Sequence, residues 1–294
     1  VALKYVTNRE FELTINSPDD PSNASKGTIS NAKSEKDEEI DYSKHSLNPK
    51  YTFETFIVGD GNRHAHATCL AVADMPAQDN FNPLFLYGNA GLGKTHLMHS
   101  ISRHIIEHHP EYTILYTTSE NFTNDVIDSL RENKNNKTAM PNLRDKYRNV
   151  DVLLIDDIQF IIDKESTLKE FFHTFEALFQ TGKQLVISSD KPPSEMDKLE
   201  DRYKTRFSSG LPVDIQPPDY ETAMAILHVK QENSDIKLSD SILSYIATNA
   251  RNSIRELEGA YNRVTLSSKF YSPGEDITLE MAENALKDFI SDES

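Results

Sequence analysis

Positive charge is what this sequence has too little of. Its 294 residues carry 31 Lys and Arg against 47 Asp and Glu, a formal net charge of −16 at pH 7. A protein that grips duplex DNA along its phosphates draws affinity from counterion release by a basic surface. Broad duplex binding is therefore excluded for the chain as it stands, and only local nucleic-acid contacts fit. Cysteine is nearly absent too: Cys69 stands alone, which rules out an internal disulfide or a thiolate cluster and suits a reducing cytosol. No apolar run approaches the roughly 20 residues of a membrane-spanning helix. The first ten residues mix charge and polarity as no secretory signal does. Beginning at Val1 rather than Met, the chain reads as a fragment.

What is present falls into four stretches. Residues 1–16 hold one alternating strand-like scrap, Phe11-Glu12-Leu13-Thr14-Ile15, and read as the tail of a truncated domain. Residues 17–47 are dominated by Ser, Asn, Asp, Glu and Lys, too poor in apolar surface to offset chain entropy, and read as a flexible linker. From Asn48 a rhythm sets in. Short apolar runs at 83–87, 113–117, 152–155, 184–188 and 212–215 alternate with helical stretches. Runs that are apolar throughout imply burial on both faces, and strand–helix alternation implies a parallel α/β sheet over 48–217. After Pro217-Pro218 the strands stop. Residues 221–233, 239–250, 253–267 and 279–290 have helical patterning, so a small all-α lid is predicted over 218–294.

The sharpest motif is Gly88-Asn89-Ala90-Gly91-Leu92-Gly93-Lys94-Thr95. It matches the phosphate-loop pattern G-x-x-x-x-G-K-[ST] and lies between a predicted strand and a helix beginning near Thr95, where such a loop must lie. Glycines let backbone N–H groups close on phosphate oxygens, and the helix N-terminus adds a favourable field. Lys94 would neutralise the β- and γ-phosphates, and Thr95 would complete a Mg²⁺ shell. The second motif, Val152-Leu153-Leu154-Ile155-Asp156-Asp157, is a buried strand ending in acids at the sheet edge where ligands of open α/β folds bind. Asp156 would hold the Mg²⁺ through water and Asp157 would polarise an attacking water. A third strand ends in Ser188-Ser189-Asp190, whose polar groups could orient that water or simply open a turn before Pro192-Pro193.

Other charged residues are more ambiguous. Arg202 and Arg206 lie one turn apart on a predicted helix, as a solvated basic face would. Arg255, in the lid, could reach a γ-phosphate or pair with Glu258 three residues on. His104, His108 and His109 lack the Glu and the third ligand of a zinc helix and read as surface histidines.

Longer strings carry a resemblance. Asn48-Pro49-Lys50-Tyr51-Thr52-Phe53, Phe56-Ile57-Val58-Gly59, the loop continuing into His96-Leu97, Tyr147–Phe160, Glu170–Phe175 and Ser253–Ala260 resemble the DnaA family of bacterial replication initiators, in one register over about residues 48–290. The resemblance implies a P-loop AAA+ fold with a five-stranded parallel sheet and an α-helical lid. It implies ATP or ADP with Mg²⁺ as ligands and slow ATP hydrolysis as an assembly switch.

The resemblance also assigns roles that spacing does not. Val58 and Asn62 would flank adenine and ribose, and residues 88–96 (Gly88, Asn89, Ala90, Gly91, Leu92, Gly93, Lys94, Thr95, His96) would hold the phosphates. Thr95 and Asp156 would serve the metal. Asp157, Asp190, Arg206 and Arg255 would be catalytic, with Asp190 a sensor, Arg206 a finger acting on a neighbour's ATP, and Arg255 a sensor within its own subunit. Residues 120–148 would carry an initiator-specific helical insertion, and Ile127, Lys164 and Thr167 would face single-stranded DNA. Ser166 stands where the family usually carries a longer side chain.

Partners implied are further copies of the chain in an ATP-dependent filament, origin DNA, the replicative helicase through the truncated first domain, and acidic lipid headgroups at the membrane surface, all in the cytoplasm. Duplex origin boxes would be read by a helix-turn-helix domain beyond Ser294. Two other readings share the P-loop core: a regulatory adaptor related to the family, and a helicase loader. The residues before Asn48 argue against the first, and the insertion argues against the second.

Overall fold

The computed structural model describes Tyr42 and residues 46–133, 136–271 and 277–291. The strand-like scrap at 1–16 and nearly all of the linker expected at 17–47 lie outside the described residues. Among the described residues, packing contacts are already made before Asn48. Leu47 is buried, and Tyr42 donates its hydroxyl to Glu107 at 2.5 Å while Arg103 lies 4.4 Å over its ring.

The five apolar runs form five parallel strands: β1 (Leu84–Tyr87), β2 (Ile114–Thr118), β3 (Val152–Asp156), β4 (Gln184–Ser189) and β5 (Leu211–Asp214). Their order is β2-β3-β4-β1-β5, every pair parallel. Burial on both faces holds for the central β3 and β4, which are buried at every residue. It fails at the edges. β2 and β5 each show half-buried residues, because an edge strand has a neighbour on one side only.

Helices α1 (Arg63–Asp74) and α2 (Lys94–His108) cover one face of the sheet, where Leu97, Met98, Ile101 and Val72 close over Leu84, Leu86, Leu154 and Val186. The other face is covered by α3 (Ser119–Glu132), α4 (Ala139–Arg148), α5 (Glu165–Gln180) and α6 (Asp201–Ser208). There Phe122, Tyr147, Phe171, Phe175 and Phe207 pack on Phe85, Leu153, Ile155 and Ile187. The stretch expected as the initiator-specific insertion is thus α3 and α4. Thr118 caps α3 by accepting from the Asn121 N–H at 3.2 Å. Arg144 and Arg148 of α4 both bond the nearly buried Glu170 of α5, at 3.1 and 2.6 Å, which fixes that pair of helices.

Four helices follow the sheet: α7 (Tyr220–Glu232), α8 (Asp240–Asn249), α9 (Ile254–Tyr271) and α10 (Leu279–Ser291). Asp219 starts α7 by accepting from the Thr222 N–H at 2.7 Å. Leu227, Ile242, Leu243, Ile246, Leu257, Tyr261 and Leu286 make a separate apolar core for these helices. Because all five strands run the same way, Gly88, Ser119, Asp157 and Asp190 emerge together at one edge of the sheet, with Thr118 level with Asp156 and Tyr87 level with Ser189.

Phe171 is fully buried and meets Phe122, Phe172, Phe175 and Phe207. Phe171→Ala is expected to cost about 3–5 kcal/mol of stability, read as a lowered urea midpoint. A loss under about 1 kcal/mol would mean the aromatic core closes around the gap.

Candidate functional site

The loop between β1 and α2 wraps back on itself at its glycines. Gly88 has φ 148° and lies so close to the Ile215 carbonyl that a Cβ would sit 2.3 Å from its oxygen. Gly93, at φ 99°, precedes the helix and faces the Phe56 ring, 2.9 Å from where a Cβ would be. Only glycine combines that backbone with that proximity. α2 starts at Lys94, one residue before the expected position, so the Lys94 and Thr95 N–H groups belong to an open helix N-terminus. Lys94 is buried, and its Nζ donates to the carbonyls of Gly88 at 2.5 Å and Asn89 at 2.9 Å.

Across from it, the end of β3 supplies two adjacent carboxylates. Asp156 is almost wholly buried and accepts from three hydroxyls on three different elements: Thr95 Oγ1 at 2.6 Å, Tyr116 at 3.0 Å, and Ser188. Asp157 turns the chain in a left-handed conformation, φ 58°. Its N–H donates to Ser188 Oγ at 2.8 Å, and its carbonyl accepts from Ser119 Oγ at 2.6 Å. Its Oδ1 accepts from Gln159 Nε2 at 3.1 Å, while the buried Gln159 Oε1 has no partner. Burial and the neighbouring Asp156 charge push the Asp157 carboxyl above the usual carboxylate range, with Gln159 and Lys94 opposing. Burial lowers the Lys94 ammonium, while Asp157, Asp156 and Asp190 hold it up, in that order. One buried cation therefore faces three acids, an array that a polyphosphate would compete for on the cation's side.

The loop's third side comes from the residues before α1 and from the lid. Val58 is 43% exposed. Asn62 is buried, and its amide grips the loop instead of facing outward: Oδ1 accepts from the Gly59 N–H at 2.9 Å and Nδ2 donates to the Ile57 carbonyl at 3.0 Å. Gly59 abuts Thr222 of α7 so closely that any Cβ would clash with its hydroxyl. His96 donates from Nε2 to the Thr52 carbonyl at 2.8 Å and stacks on Tyr51, ring centres 4.7 Å apart. It holds this segment over the helix, with burial keeping its imidazole neutral. From the lid, Ile254 N–H donates to the Gly91 carbonyl at 2.9 Å, and the Arg255 Cβ stands within 2.9 Å of where a Gly91 Cβ would be. Arg255 thus has its Cβ beside the loop. The alternative i,i+3 partner, Glu258, lies 3.8 Å from Lys230.

Not every expected residue converges here. Arg206 pairs with Glu176 of α5 at 2.8 Å and is 46% exposed, taking no part in the contacts around the loop. Arg202 likewise serves its own surface, 3.0 Å from Glu200 and over the Tyr203 ring. Lys164 is exposed and Ile127 is 37% exposed on α3, as a surface contact requires. Thr167, the third residue expected at single-stranded DNA, lies lower in the surface than the other two. It is only 3% exposed, because it lies on the face of α5 that carries Leu168 and Phe171 into the core. His104 is half-buried and bonded to Asp74 at 2.7 Å. Among the described residues no group of three or more His, Cys, Asp or Glu could hold a metal by itself. The Thr95–Asp156 pair, two oxygen donors beside the phosphate loop, instead fits a Mg²⁺ ion completed by nucleotide phosphates and waters. The spacing of motifs did not disclose Tyr116 or Gln159 as site residues, and it marked Ser188 only as one of a polar run, not as the donor to Asp156. The available signal was a polar side chain at the carboxyl end of an otherwise apolar strand.

A parallel sheet with β1 between β4 and β5, a phosphate loop after β1, paired acids at the end of β3, an acid after β4 and a helical lid that touches the loop define a P-loop nucleoside triphosphatase of the AAA+ class. The family model described as the bacterial DnaA ATPase domain matches residues 47–214. A chromosomal replication initiator protein DnaA of Caldanaerobacter subterraneus is 48% identical over 294 residues, all of this chain and 64% of that protein. The crystal structure of domain III from the Thermotoga maritima replication initiation protein DnaA superposes with a TM-score of 0.74 at 42% identity, over 83% of this chain and 99% of that one. A replication initiator DnaA bound to AMPPCP and single-stranded DNA matches with a TM-score of 0.65 at 29% identity, over 82% of this chain and 81% of that one. The chain belongs to the DnaA family, and spans just under two thirds of that curated relative's length.

Lys94→Ala removes the one buried cation of the loop. Nucleotide affinity is expected to fall by at least about 100-fold, since each charge-assisted contact to phosphate contributes roughly 1.5–3 kcal/mol. Titration calorimetry with ATP measures it, and parental affinity in the variant would displace the site.

Proposed function

We propose that this chain is the ATP-binding and hydrolysing core of an initiator of chromosomal DNA replication, with nucleotide state controlling self-assembly on the origin. The observation that carries the reading is the meeting of Lys94, Thr95, Asp156, Asp157 and Arg255 around one phosphate loop in a chain of this family. The relative bound to AMPPCP and single-stranded DNA supports both ligands.

In this reading Val58 packs against the base, and Asn62 shapes the loop that receives it. Loop N–H groups and Lys94 bind the phosphates. Asp156 and Thr95 would hold Mg²⁺, which would supply positive charge to neutralise the nucleotide's phosphates. Asp157 orients the attacking water, steadied by Gln159, while Asp190 senses the γ-phosphate from the end of β4. Arg255 reports γ-phosphate to the lid. Hydrolysis is slow, because an Asp at position 157 is one methylene shorter than the Glu many AAA+ motors place there and holds water less closely. A phosphate-release assay should give well under about 1 s⁻¹ for the isolated chain, below the ~1–100 s⁻¹ of fast phosphoryl-transfer enzymes. Many turnovers per second would contradict a switch.

Arg206 acts in trans. Its pairing with Glu176 on an exposed surface contributes at most about 1 kcal/mol, so a docking neighbour can recruit it cheaply. Arg206→Ala is expected to leave ATP affinity of the dilute monomer within about twofold and to impair ATP-dependent assembly, as seen by sedimentation. Loss of monomer ATP binding would place Arg206 in cis.

Lys164 and Ile127 meet single-stranded DNA, the lysine at a phosphate and the isoleucine at sugar or base. At net charge −16 one subunit binds weakly, so affinity arises only when aligned subunits sum their contacts. Anisotropy with labelled oligo-dT should show binding with ATP and not ADP. Lys164→Ala should flatten the salt dependence by about 0.7 per lost phosphate contact. Equal binding in both nucleotides would overturn the reading. The helicase, acidic lipids and duplex origin boxes belong to the whole initiator's proposed partners.

A further inference from the structure

Tyr116 has no role in any of the steps above, yet it touches the centre of the site. It sits on the edge strand β2, level with Leu154 of β3 and two residues before Thr118, which is level with Asp156. Its hydroxyl donates to Asp156 Oδ2 at 3.0 Å, the same oxygen that accepts from Thr95 at 2.6 Å, while Oδ1 accepts from Ser188. Facing a carboxylate oxygen that can only accept, the phenol O–H is the donor. The ring is held edge-on against His99 of α2, centres 4.4 Å apart. His99 is in turn pinned: its Nδ1 accepts from the Asn48 N–H at 2.9 Å, and Tyr51 lies edge-on at 5.5 Å. Desolvation keeps that imidazole neutral, lowered to about 4, as an acceptor at Nδ1 must be.

We infer that Tyr116 is a positioning residue for the metal-site carboxylate: its hydroxyl holds Asp156 in the orientation that receives Mg²⁺, and His99 holds the Tyr116 ring in place. The reason lies in where the donors stand. A cation that took a Thr95 lone pair would leave the threonine O–H free to donate to Oδ2, but Thr95 would then serve two partners at once. Tyr116 on β2 and Ser188 on β4 hold Oδ2 and Oδ1 from the strands on either side, independently of Thr95. Donors on both oxygens fix the carboxylate's rotation and leave a lone pair on Oδ1 for a metal-bound water. Without the tyrosine hydroxyl, Oδ2 would keep Thr95 alone as its donor, and the carboxylate would be held less firmly.

This rests on the assignment of Asp156 to the metal, and the test separates the two. Tyr116→Phe deletes one oxygen and keeps the ring on His99. The 294-residue chain, its Tyr116→Phe and its Asp156→Asn variants are titrated with ADP by calorimetry in EDTA and at stepped Mg²⁺ concentrations, with melting temperature in EDTA as the folding control. The expected result for Tyr116→Phe is unchanged ADP affinity in EDTA, and a Mg²⁺ concentration for half-maximal tightening raised about 10–100-fold, the worth of one hydrogen bond to a charged group. His99→Ala should shift the Mg²⁺ response in the same direction by less. If Tyr116→Phe tracks the parent while Asp156→Asn loses the Mg²⁺ response, the positioning role is overturned and the metal site stands. If Asp156→Asn also tracks the parent, the metal assignment itself is wrong. Equal weakening of Tyr116→Phe in EDTA and in Mg²⁺ would show a structural role and overturn the proposal.

Discussion

The carboxylate of Asp156 is the point on which the site is organised. It is nearly buried, and it collects hydroxyl donors from α2, β2 and β4 while itself ending β3. Each of those elements has its own apolar reason for being where it is, but those reasons fix their positions only as well as packing does. A buried charge is stricter. Left with an unsatisfied oxygen it would cost more than any one of these hydrogen bonds contributes. Thr95, Tyr116 and Ser188 therefore hold the helix start and three strand ends in register at the edge where the phosphate loop opens.

The same reasoning explains how a strongly acidic chain can hold a polyanion. The charge of −16 is spread over the molecule, but within the loop the arrangement inverts. Lys94 is buried among carboxylates and loop carbonyls, and the open N-terminus of α2 adds N–H donors. Desolvation weakens the ammonium, and the acids opposite restore it. That balance leaves a cation whose present partners are weak carbonyl acceptors, ready to be exchanged for phosphate oxygens.

The lid touches the phosphate loop and the segment before α1 at three places. Ile254 donates to Gly91, Arg255 stands against the same glycine, and Gly59 nests on Thr222. All three are backbone or close-packed contacts with little tolerance for side-chain bulk. The lid has its own apolar core, separate from the two that flank the sheet. The Arg206–Glu176 pair is the opposite kind of contact: exposed, on α6 and α5, and far weaker than the buried ones.

Local spacing was enough to read the α/β alternation, the five strands within a residue or two, the phosphate loop, the paired acids and the helical segment after Pro218, because each depends on a periodic pattern or on a motif contiguous in the chain. The longer strings that resemble the family placed Arg255 by the loop. What spacing could not reach were relations between distant segments. β2 and β5 read like buried strands, and strand order alone made them edges. Thr167 read as a surface residue, and the rotation of α5 turned it into the core with Leu168 and Phe171. The resemblance put Asn62 beside adenine and ribose, and only the fold showed that both its polar atoms tie down the loop at Ile57 and Gly59. Tyr116 and Ser188 lie 40 and 32 residues from Asp156, on strands whose apolar character was legible but whose neighbours were not. Amino-acid order determined which groups the protein has and what each stretch folds into. Tertiary structure decided which of them meet, because a buried carboxylate takes its donors from whatever the sheet order brings beside it.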